Sequence, residues 1–456
     1  MARSLLLLSL ILFACNNLED ANIPDRQTFI RFFGSTRSYT SAVVERDADG
    51  GFILAGNIAE LDGDNLSDSI KRPGIIIVKT DNQGNRLWDY AMLGANVHSI
   101  KPLGGDPGNF GYLVTGEGIE LNPLSSESSE FVNSQFLVMK IVHADGSNVT
   151  TIAKQFKKDS SVVASRGTGD VTLKVDFKAI STVAIDATQV ATLGSYKVPG
   201  SQERTITMGF NLSDLSTPIW RKNLDLLNFD YVSAPFLGMS GTDLVWASTA
   251  TPTDVNESKY LSVIAVPPDY ASPSNNSLFG QNEDGGHDVK DFQPSATGFA
   301  AIGTYTTRAG IKNAFFVRID RAGNVMSSSV RYFDCGATGK DIVIDPTPPT
   351  NGDKNTSISQ EDGTAITYTS DGGFVVACSM VQTVDKGNGG TDIVLIKIDA
   401  FGNYKWDKLL GGGGNETATS VRELSDGTLL ISGTSTISNV SSMFIIRTDA
   451  NGDTKD

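Results

Sequence analysis

The chain is poor in the residues that usually build metal centres, disulfide frameworks and nucleic-acid surfaces. Its 456 residues include only three cysteines and three histidines, and no CxxC, HExxH or other paired Cys/His spacing occurs. The 37 lysines and arginines are outnumbered by 52 aspartates and glutamates, which gives a formal charge of −15. No domain-sized block is basic, which argues against a nucleic-acid partner because nucleic acid requires a basic surface. No Ser-His-Asp set is readable either, so the sequence does not predict an enzyme.

Long apolar runs are also missing, apart from one at the N-terminus. MARS carries one positive charge and is followed by LLLLSLILFA (5–14). Ten apolar residues are too few to span a bilayer and are typical of the hydrophobic region of a signal peptide. The run continues directly into Cys15, and Leu12-Phe13-Ala14-Cys15 resembles the lipobox of bacterial lipoproteins. This resemblance implies cleavage after Ala14 and acylation of Cys15, with the acyl chains held in a lipid bilayer by about 0.8 kcal/mol per buried methylene.

The predicted layout has three parts. Residues 1–14 form a signal peptide, residues 15–26 the lipidated cysteine and a polar tether, and residues 27–456 the folded domain. Glu19 and Asp20 resemble the acidic surface-export signal of Bacteroidetes-type lipoproteins, although they also suit a plain soluble linker. We expect an outer-membrane lipoprotein on the cell surface or the periplasmic face.

The domain is built from an internal repeat. Short apolar runs recur with a mean period of about 63 residues, and there are seven: GFILAGN (51–57), GYLVTGE (111–117), QVATLGS (189–195), DLVWAST (243–249), GFAAIGT (298–304), GFVVACS (373–379) and TLLISGT (428–434). A second apolar run follows each of these, a third precedes it, and a fourth closes the unit. The runs have strand length and no convincing 3.6-residue period. Each unit is therefore predicted to contain four strands, named a, b, c and d in chain order.

Four-stranded units repeated at this period predict a β-propeller. The seventh unit ends after strand c, whereas QTFIRFFGS (27–35) at the start resembles an isolated strand d. The predicted fold is thus all-β, a single seven-bladed β-propeller of four-stranded antiparallel blades whose last blade is closed by the N-terminal strand (3+1). Six or eight blades are the alternatives if the degenerate units between 175 and 285 are miscounted.

The repeat pattern GGFxxAG…DxxLxKxDxxGNxxW resembles the propeller repeats of Bacteroidetes-type surface lipoproteins. The resemblance covers nearly all of 27–453 and is strongest in units one, five, six and seven. It implies a propeller shape rather than a particular chemistry.

The connections differ in length, which distinguishes the two faces. The a–b and c–d turns are short, whereas 58–73, 118–134, 157–174 and 334–362 are long. The c–d segments DNQGN (81–85) and DAFGN (399–403) place glycine fourth, not sixth as a calcium EF-hand loop requires, and so predict hairpin turns with φ > 0. Binding is therefore expected on the long-loop face.

Five residues are candidates for that binding face. Asp62, Asp64 and Asp68 lie in one long loop, which could hold calcium or be merely a solvated acidic loop. His98 and His287 are predicted at matching strand-a starts in units two and five, where they could bind a metal or a carboxylate or be ordinary hydrogen-bonded histidines. Opposite positions on a ring would keep these two from sharing an ion, so neither a metal site nor a cofactor is predicted beyond the possible calcium.

From these observations we expect a non-catalytic, monomeric module that binds an unknown protein or glycan. The alternatives are a propeller enzyme, either a quinone- and calcium-dependent dehydrogenase or a lyase or glycosidase, and a structural subunit of an outer-membrane complex.

Overall fold

The computed structural model describes the following residues: 28–34, 38–61, 72–104, 109–121, 131–144, 148–156, 163–166, 169–172, 176–197, 203–215, 217–224, 229–231, 236–252, 258–266, 275–280, 285–334, 343–348, 360–381 and 390–454. In these ranges the regular structure is β throughout. No described residues form a helix long and apolar enough to cross a bilayer. The signal peptide, Cys15 and the tether lie outside the described residues, and so remain predictions.

The strands, in chain order, are β1 (Phe29–Phe33), β2 (Tyr39–Arg46), β3 (Phe52–Leu61), β4 (Arg72–Thr80), β5 (Arg86–Leu93), β6 (Ala95–Gly104), β7 (Asn109–Leu121), β8 (Phe131–Ala144), β9 (Asn148–Phe156), β10 (Val163–Arg166), β11 (Gly169–Thr172), β12 (Asp176–Ala184), β13 (Gln189–Lys197), β14 (Glu203–Asn211), β15 (Trp220–Leu224), β16 (Phe229–Tyr231), β17 (Phe236–Ser240), β18 (Asp243–Pro252), β19 (Tyr260–Val266), β20 (Asn275–Phe279), β21 (Gly285–Ser295), β22 (Gly298–Thr307), β23 (Lys312–Asp320), β24 (Val325–Asp334), β25 (Val343–Asp345), β26 (Gln360–Tyr368), β27 (Phe374–Val381), β28 (Thr391–Ile398), β29 (Tyr404–Leu410), β30 (Asn415–Glu423), β31 (Leu429–Ile437) and β32 (Val440–Thr448).

The strands pair in the predicted a-b-c-d order within each repeat unit. Units one, two, three, five and six are β2–β5, β6–β9, β12–β15, β21–β24 and β26–β29, and in unit four β16 and β17 share the place of strand a beside β18–β20. In unit seven, β30–β32 are joined by β1, which runs antiparallel to β32 from Phe29↔Arg447 to Phe33↔Met443. This is the pairing that the sequence predicted. Three pairings among the described strands were not predicted: the hairpin β10–β11, the extension of unit five by β25 at β24, and a single parallel bridge between β28 and β30, Thr391↔Asn415, which joins units six and seven.

The hydrophobic core lies between neighbouring sheets. The b and c strands are buried on both faces, as in β22 and β28, because a sheet covers each side. One buried cluster joins Phe29 and Phe33 of β1 to Phe52 of unit one, and another joins Leu395 of unit six to Phe444 of unit seven. Since these clusters cross the unit boundaries, each unit is stabilised mainly by its neighbours.

The a strands surround a common axis. Neighbouring a strands contact one another in an unbroken series, from β2 to β6, β12, β17, β21, β26, β30 and back to β2. The d strands of the described part form no such series. The strand-a starts therefore lie at one end of the axis, and the a–b turns lie at the other.

The c–d turns are structural, as predicted. In the first, Asp81 accepts hydrogen bonds from the backbone N–H groups of Gln83 and Asn85 and from the Asn85 side chain. Gly84 has φ of +76°, and a Cβ at this position would lie 2.5 Å from the Phe29 ring of unit seven. The Asp-x-x-Gly-Asn pattern therefore provides both the turn and a close contact between units.

Candidate functional site

A β-bulge interrupts the inner strand of six units close to the same small residue of strand b. In unit one the small residue faces the residue after the bulge, and in the other five units it faces the residue before the bulge. The bulges fall between Thr40/Ala42, Val97/Ser99, Ala179/Ser181, Val289/Asp291, Gly363/Ala365 and Ala418/Ser420. A bulge leaves one residue outside the ladder and re-aims its side chain. The residues opposite are small: Gly56, Gly116, Gly194, Gly303, Cys378 and Gly433.

The requirement for a small residue is steric. A Cβ on Gly116 would collide with the carbonyl oxygen of Asn96, and one on Gly433 would collide with that of Thr417. The glycine that recurs near the end of the apolar b runs therefore lies on strand b opposite a residue next to the bulge of strand a.

Side chains of the preceding unit hold some bulges in place. The Asn57 amide bonds both backbone atoms of Val97: its Oδ1 accepts from the Val97 N–H at 2.6 Å, and its Nδ2 donates to the Val97 carbonyl at 3.1 Å. The Thr249 hydroxyl accepts from the Val289 N–H at 2.8 Å. These bonds satisfy backbone groups that the interrupted ladder leaves open, and they fix the bulge relative to the neighbouring unit.

The bulges and the residues just before them carry polar side chains at the end of the axis where the a strands start. We call this set the axial rim, and it consists of Asn96, His98, Glu117, Lys178, Asp288, Lys290 and Asp362. His98 and Lys290 are the bulged residues, Asn96, Lys178, Asp288 and Asp362 stand two residues before a bulge, and Glu117 is the cross-strand partner of Asn96. Carboxylates, ammonium groups, an amide and an imidazole therefore lie at the strand-a starts of units two, three, five and six.

His98 is the rim residue best suited to proton transfer. A third (33%) of its side chain is exposed, and its Nε2 lies 4.0 Å from Oε1 of Glu117. The surrounding protein lowers the pKa of His98 below 6.5 through burial and the Lys178 cation lowers it further, while the Glu117 carboxylate opposes both. The ring is therefore mostly neutral at pH 7 and can accept a proton. Glu117 is oriented by Asn96, whose Nδ2 donates to it at 3.0 Å.

Two aspartates of the rim are held by hydroxyl and ammonium donors. Asp288 accepts from the Thr249 hydroxyl at 3.0 Å and from Lys290 Nζ at 2.7 Å. Asp362 accepts from the Thr304 hydroxyl at 3.0 Å, with Lys312 Nζ at 3.5 Å. About a quarter (24%) of the Asp288 side chain and 37% of the Asp362 side chain remain exposed, so both carboxylates are accessible to a ligand.

The prediction that His287 matches His98 on the binding face is wrong. His287 stands three residues before the bulged Lys290, whereas His98 is itself the bulged residue. The difference turns His287 into the core: it is 0% exposed, packs against Phe279, Tyr305 and Phe315, and places Nε2 2.9 Å from the Tyr332 hydroxyl. Burial lowers its pKa to about 3. His287 is therefore a neutral core residue.

The remaining candidates lie elsewhere. Asp62, Asp64 and Asp68 fall outside the described residues, so the calcium loop stays a prediction. Among the residues that the structure describes, no group of three or more His, Cys, Asp or Glu side chains is arranged to hold a metal ion.

The opposite end of the axis also carries charges, but they neutralise one another. Glu45 of unit one lies between Lys101 of unit two and Arg422 of unit seven, in salt bridges with both. Burial would raise the pKa of Glu45, but the two cations outweigh it and lower the pKa overall. This cluster joins three inner strands and is best explained as structural.

Sequence reasoning missed Asn96, Glu117, Lys178, Asp288, Lys290 and Asp362. The bulge shifts the register by one residue, so the alternation read from the sequence fails just where the rim is formed. The available signal was the recurrent glycine of strand b, which marks the bulge opposite it.

The comparisons with known proteins concern mainly the fold. No family model matches the chain, and neither does any curated protein. Similar solved structures include a Dyadobacter fermentans protein of unknown function, with 9% identity, TM-score 0.43, and coverage of 92% of this chain and 97% of that one. Trypanosoma rangeli sialidase bound to the inhibitor DANA has 10% identity, TM-score 0.40, and coverage of 90% and 55%. The parainfluenza virus 5 hemagglutinin-neuraminidase ectodomain has 10% identity, TM-score 0.41, and coverage of 98% and 94%.

These neighbours correct one expectation drawn from the sequence. They include sialidases, a neuraminidase and an arabinanase. This goes against the non-catalytic binding module and agrees better with the stated alternative of a propeller enzyme of the glycosidase type. Because identities are 9–11% and TM-scores stay below 0.5, the choice of reaction must rest on the rim itself.

Proposed function

We propose that this chain is a lipid-anchored extracytoplasmic propeller enzyme that cleaves glycosidic bonds at its axial rim. In this proposal the seven units are seven blades around the axis, and β1 closes the last of them. The contact series of the inner strands and the β1–β32 pairing support the closed ring.

The observation that carries the proposal is the set of acid–base side chains that the a strands of several units carry near their starts, at one end of the axis. Glycoside cleavage usually requires two carboxyl groups flanking the bond, one as acid and the other as base or nucleophile. The rim offers the carboxylates Glu117, Asp288 and Asp362 on or beside the inner strands of three units. Rigid strands rather than loops position these groups, which favours a catalytic over a merely solvated arrangement.

A carbohydrate also suits the pattern of donors and acceptors along the rim. In unit five the ammonium donor of Lys290 is paired with the carboxylate of Asp288, and in unit two the amide donor of Asn96 is paired with the carboxylate of Glu117. A sugar presents hydroxyl groups that both donate and accept, so one ring could exchange hydrogen bonds with several rim side chains at once.

A substrate panel tests this function. The Cys15→Ser chain, made without the signal peptide, is incubated with oligosaccharides that include sialosides and arabinans, and released sugars are quantified. We expect cleavage of at least one linkage and a large loss of rate in Glu117→Gln, Asp288→Asn or Asp362→Asn. The control is Asp81→Asn, which alters a carboxylate at the opposite end of the molecule and should leave the rate unchanged. No cleavage across the panel, or full activity in all three rim variants, would overturn the proposal.

The lipid anchor has its own test. Cells expressing the full chain are fed labelled fatty acid, and label is expected on the wild type but not on Cys15→Ser. Label that persists in the variant would refute acylation at Cys15.

A further inference from the structure

We infer that His98 is the proton acceptor of the axial rim, taking a proton from the water or sugar hydroxyl that reacts there. This inference rests on the proposed function, because it assigns one role within the same site.

The backbone sets His98 apart from the ladder of its own sheet. Since His98 is the extra residue of the β6 bulge, it has no cross-strand partner on β7. Its neighbour Val97 is clamped from unit one by both atoms of the Asn57 amide. The direction of the imidazole is thus fixed by a contact between units and does not depend on loop conformation.

Its surroundings keep the imidazole ready to accept a proton. The charged groups that face it are Glu117 on β7 and Lys178 on β12, and they act in opposite directions. Burial and Lys178 favour the neutral ring, which has a free lone pair on one nitrogen. Glu117, 4.0 Å from Nε2, is close enough to stabilise the imidazolium once it forms.

The step conserves atoms and charge. A ring nitrogen of neutral His98 takes the proton of a water molecule as the water oxygen bonds to the anomeric carbon, and the bond from that carbon to the leaving oxygen breaks. The leaving oxygen receives a proton from solvent. His98 then releases its proton to solvent, so that the enzyme returns to its starting state.

The contrast with His287 separates this role from a structural one. His287 is wholly buried and lies beside the Tyr332 hydroxyl, within an aromatic cluster that water cannot enter. His98 is one third exposed and adjoins a carboxylate and an ammonium group from two units. A histidine that served only packing would need neither neighbour.

The first test reads the imidazole itself, with no substrate. The His98 ring proton is followed by NMR against pH and assigned by its loss in His98→Gln. We expect a pKa below 6.5 in the wild type, a still lower value in Glu117→Gln and a higher value in Lys178→Met. A pKa at the ordinary value that neither neighbour changes would contradict the inference, and it would do so whether or not any glycoside is cleaved.

The second test uses the best substrate of the panel. His98→Gln should lower kcat by on the order of 10²–10⁴-fold with little change in KM and should remove the acidic limb of the kcat–pH profile. His98→Ala should regain activity with added imidazole, whereas Asp362→Asn should not. If His98→Gln keeps full kcat while Glu117→Gln and Asp362→Asn lose it, the glycosidase proposal stands and the role of His98 falls. If the wild type cleaves nothing, the proposed function itself fails.

Discussion

Acid sensitivity of the fold should depend on His287. In the folded protein its side chain is 0% exposed and its pKa is lowered to about 3, because burial disfavours the charged ring. In the unfolded chain the same ring has a pKa of about 6.5. Below that value the unfolded state binds a proton at His287 that the folded state does not bind. The free energy of unfolding therefore decreases as the pH falls from 6.5 towards 3.

The size of the effect follows from the two pKa values. At pH 7.5 both states are mostly neutral, and the residue contributes almost nothing to the pH dependence. At pH 5.0 protonation of His287 in the unfolded state lowers the free energy of unfolding by about 2 kcal/mol, since each pH unit below the unfolded pKa is worth about 1.4 kcal/mol. Burial of His287 is complete, so no discount for solvent screening applies.

Urea unfolding at pH 7.5 and 5.0 measures this term. His287→Phe fits an aromatic environment, loses the contact with the Tyr332 hydroxyl at both pH values, and cannot take up a proton. We expect the wild type to lose about 2 kcal/mol more than His287→Phe between the two pH values. The control Tyr332→Phe keeps the buried ring and should retain the wild-type acid sensitivity. An identical loss in wild type and His287→Phe would refute the reasoning.

Three further predictions concern contacts within and between the units. At Gly84, where φ is +76°, a Cβ would lie 2.5 Å from Phe29, so Gly84→Ala should lower the free energy of unfolding by about 2–4 kcal/mol. At Gly50, where φ is +85°, a Cβ would have no atom within 4 Å, so Gly50→Ala should lower it by about 1 kcal/mol. Equal losses in urea unfolding would contradict the packing argument. Lys79→Met leaves the buried Asp47 carboxylate without its cation and should lower the free energy of unfolding, measured by chemical denaturation, by about 3–5 kcal/mol. Lys397→Met should lower it by less than about 1 kcal/mol, because the aspartate partner of Lys397 is 63% exposed. The reverse order would be inconsistent with the structure. Deleting β1 exposes the edge of β32, so we expect a lower melting temperature and association by light scattering, and an unchanged, monodisperse protein would argue against the closing role.

Much of the fold could be read from the sequence because its signals are local. The Asp-x-x-Gly-Asn turns are set by side-chain bonds within five residues, as at Asp81 and Asn85, and by the positive φ of Gly84. The b and c strands can be recognised in the sequence because each is a continuous apolar run. The closing strand β1 was recognisable because its sequence matches the strand that unit seven lacks.

The site could not be read in the same way because it depends on contacts between units. The bulge at His98 is stabilised by Asn57, which lies about forty positions earlier in the chain, and the electrostatics of His98 depend on Lys178 of the next unit. Neither contact leaves a local pattern. His287 was misplaced for the same reason, since only the position of the bulge shows that the two histidines stand three register positions apart.

The position of the active surface is the central claim, and hydrogen–deuterium exchange with bound sugar tests it most directly. The Glu117→Gln chain is saturated with the oligosaccharide that the wild type cleaves best, and amide exchange is compared with and without it. The account predicts slower exchange at the starts of β6, β12, β21 and β26, which carry the axial rim. Protection confined to the c–d turns at 81–85 and 399–403, with the rim strands unchanged, would contradict it.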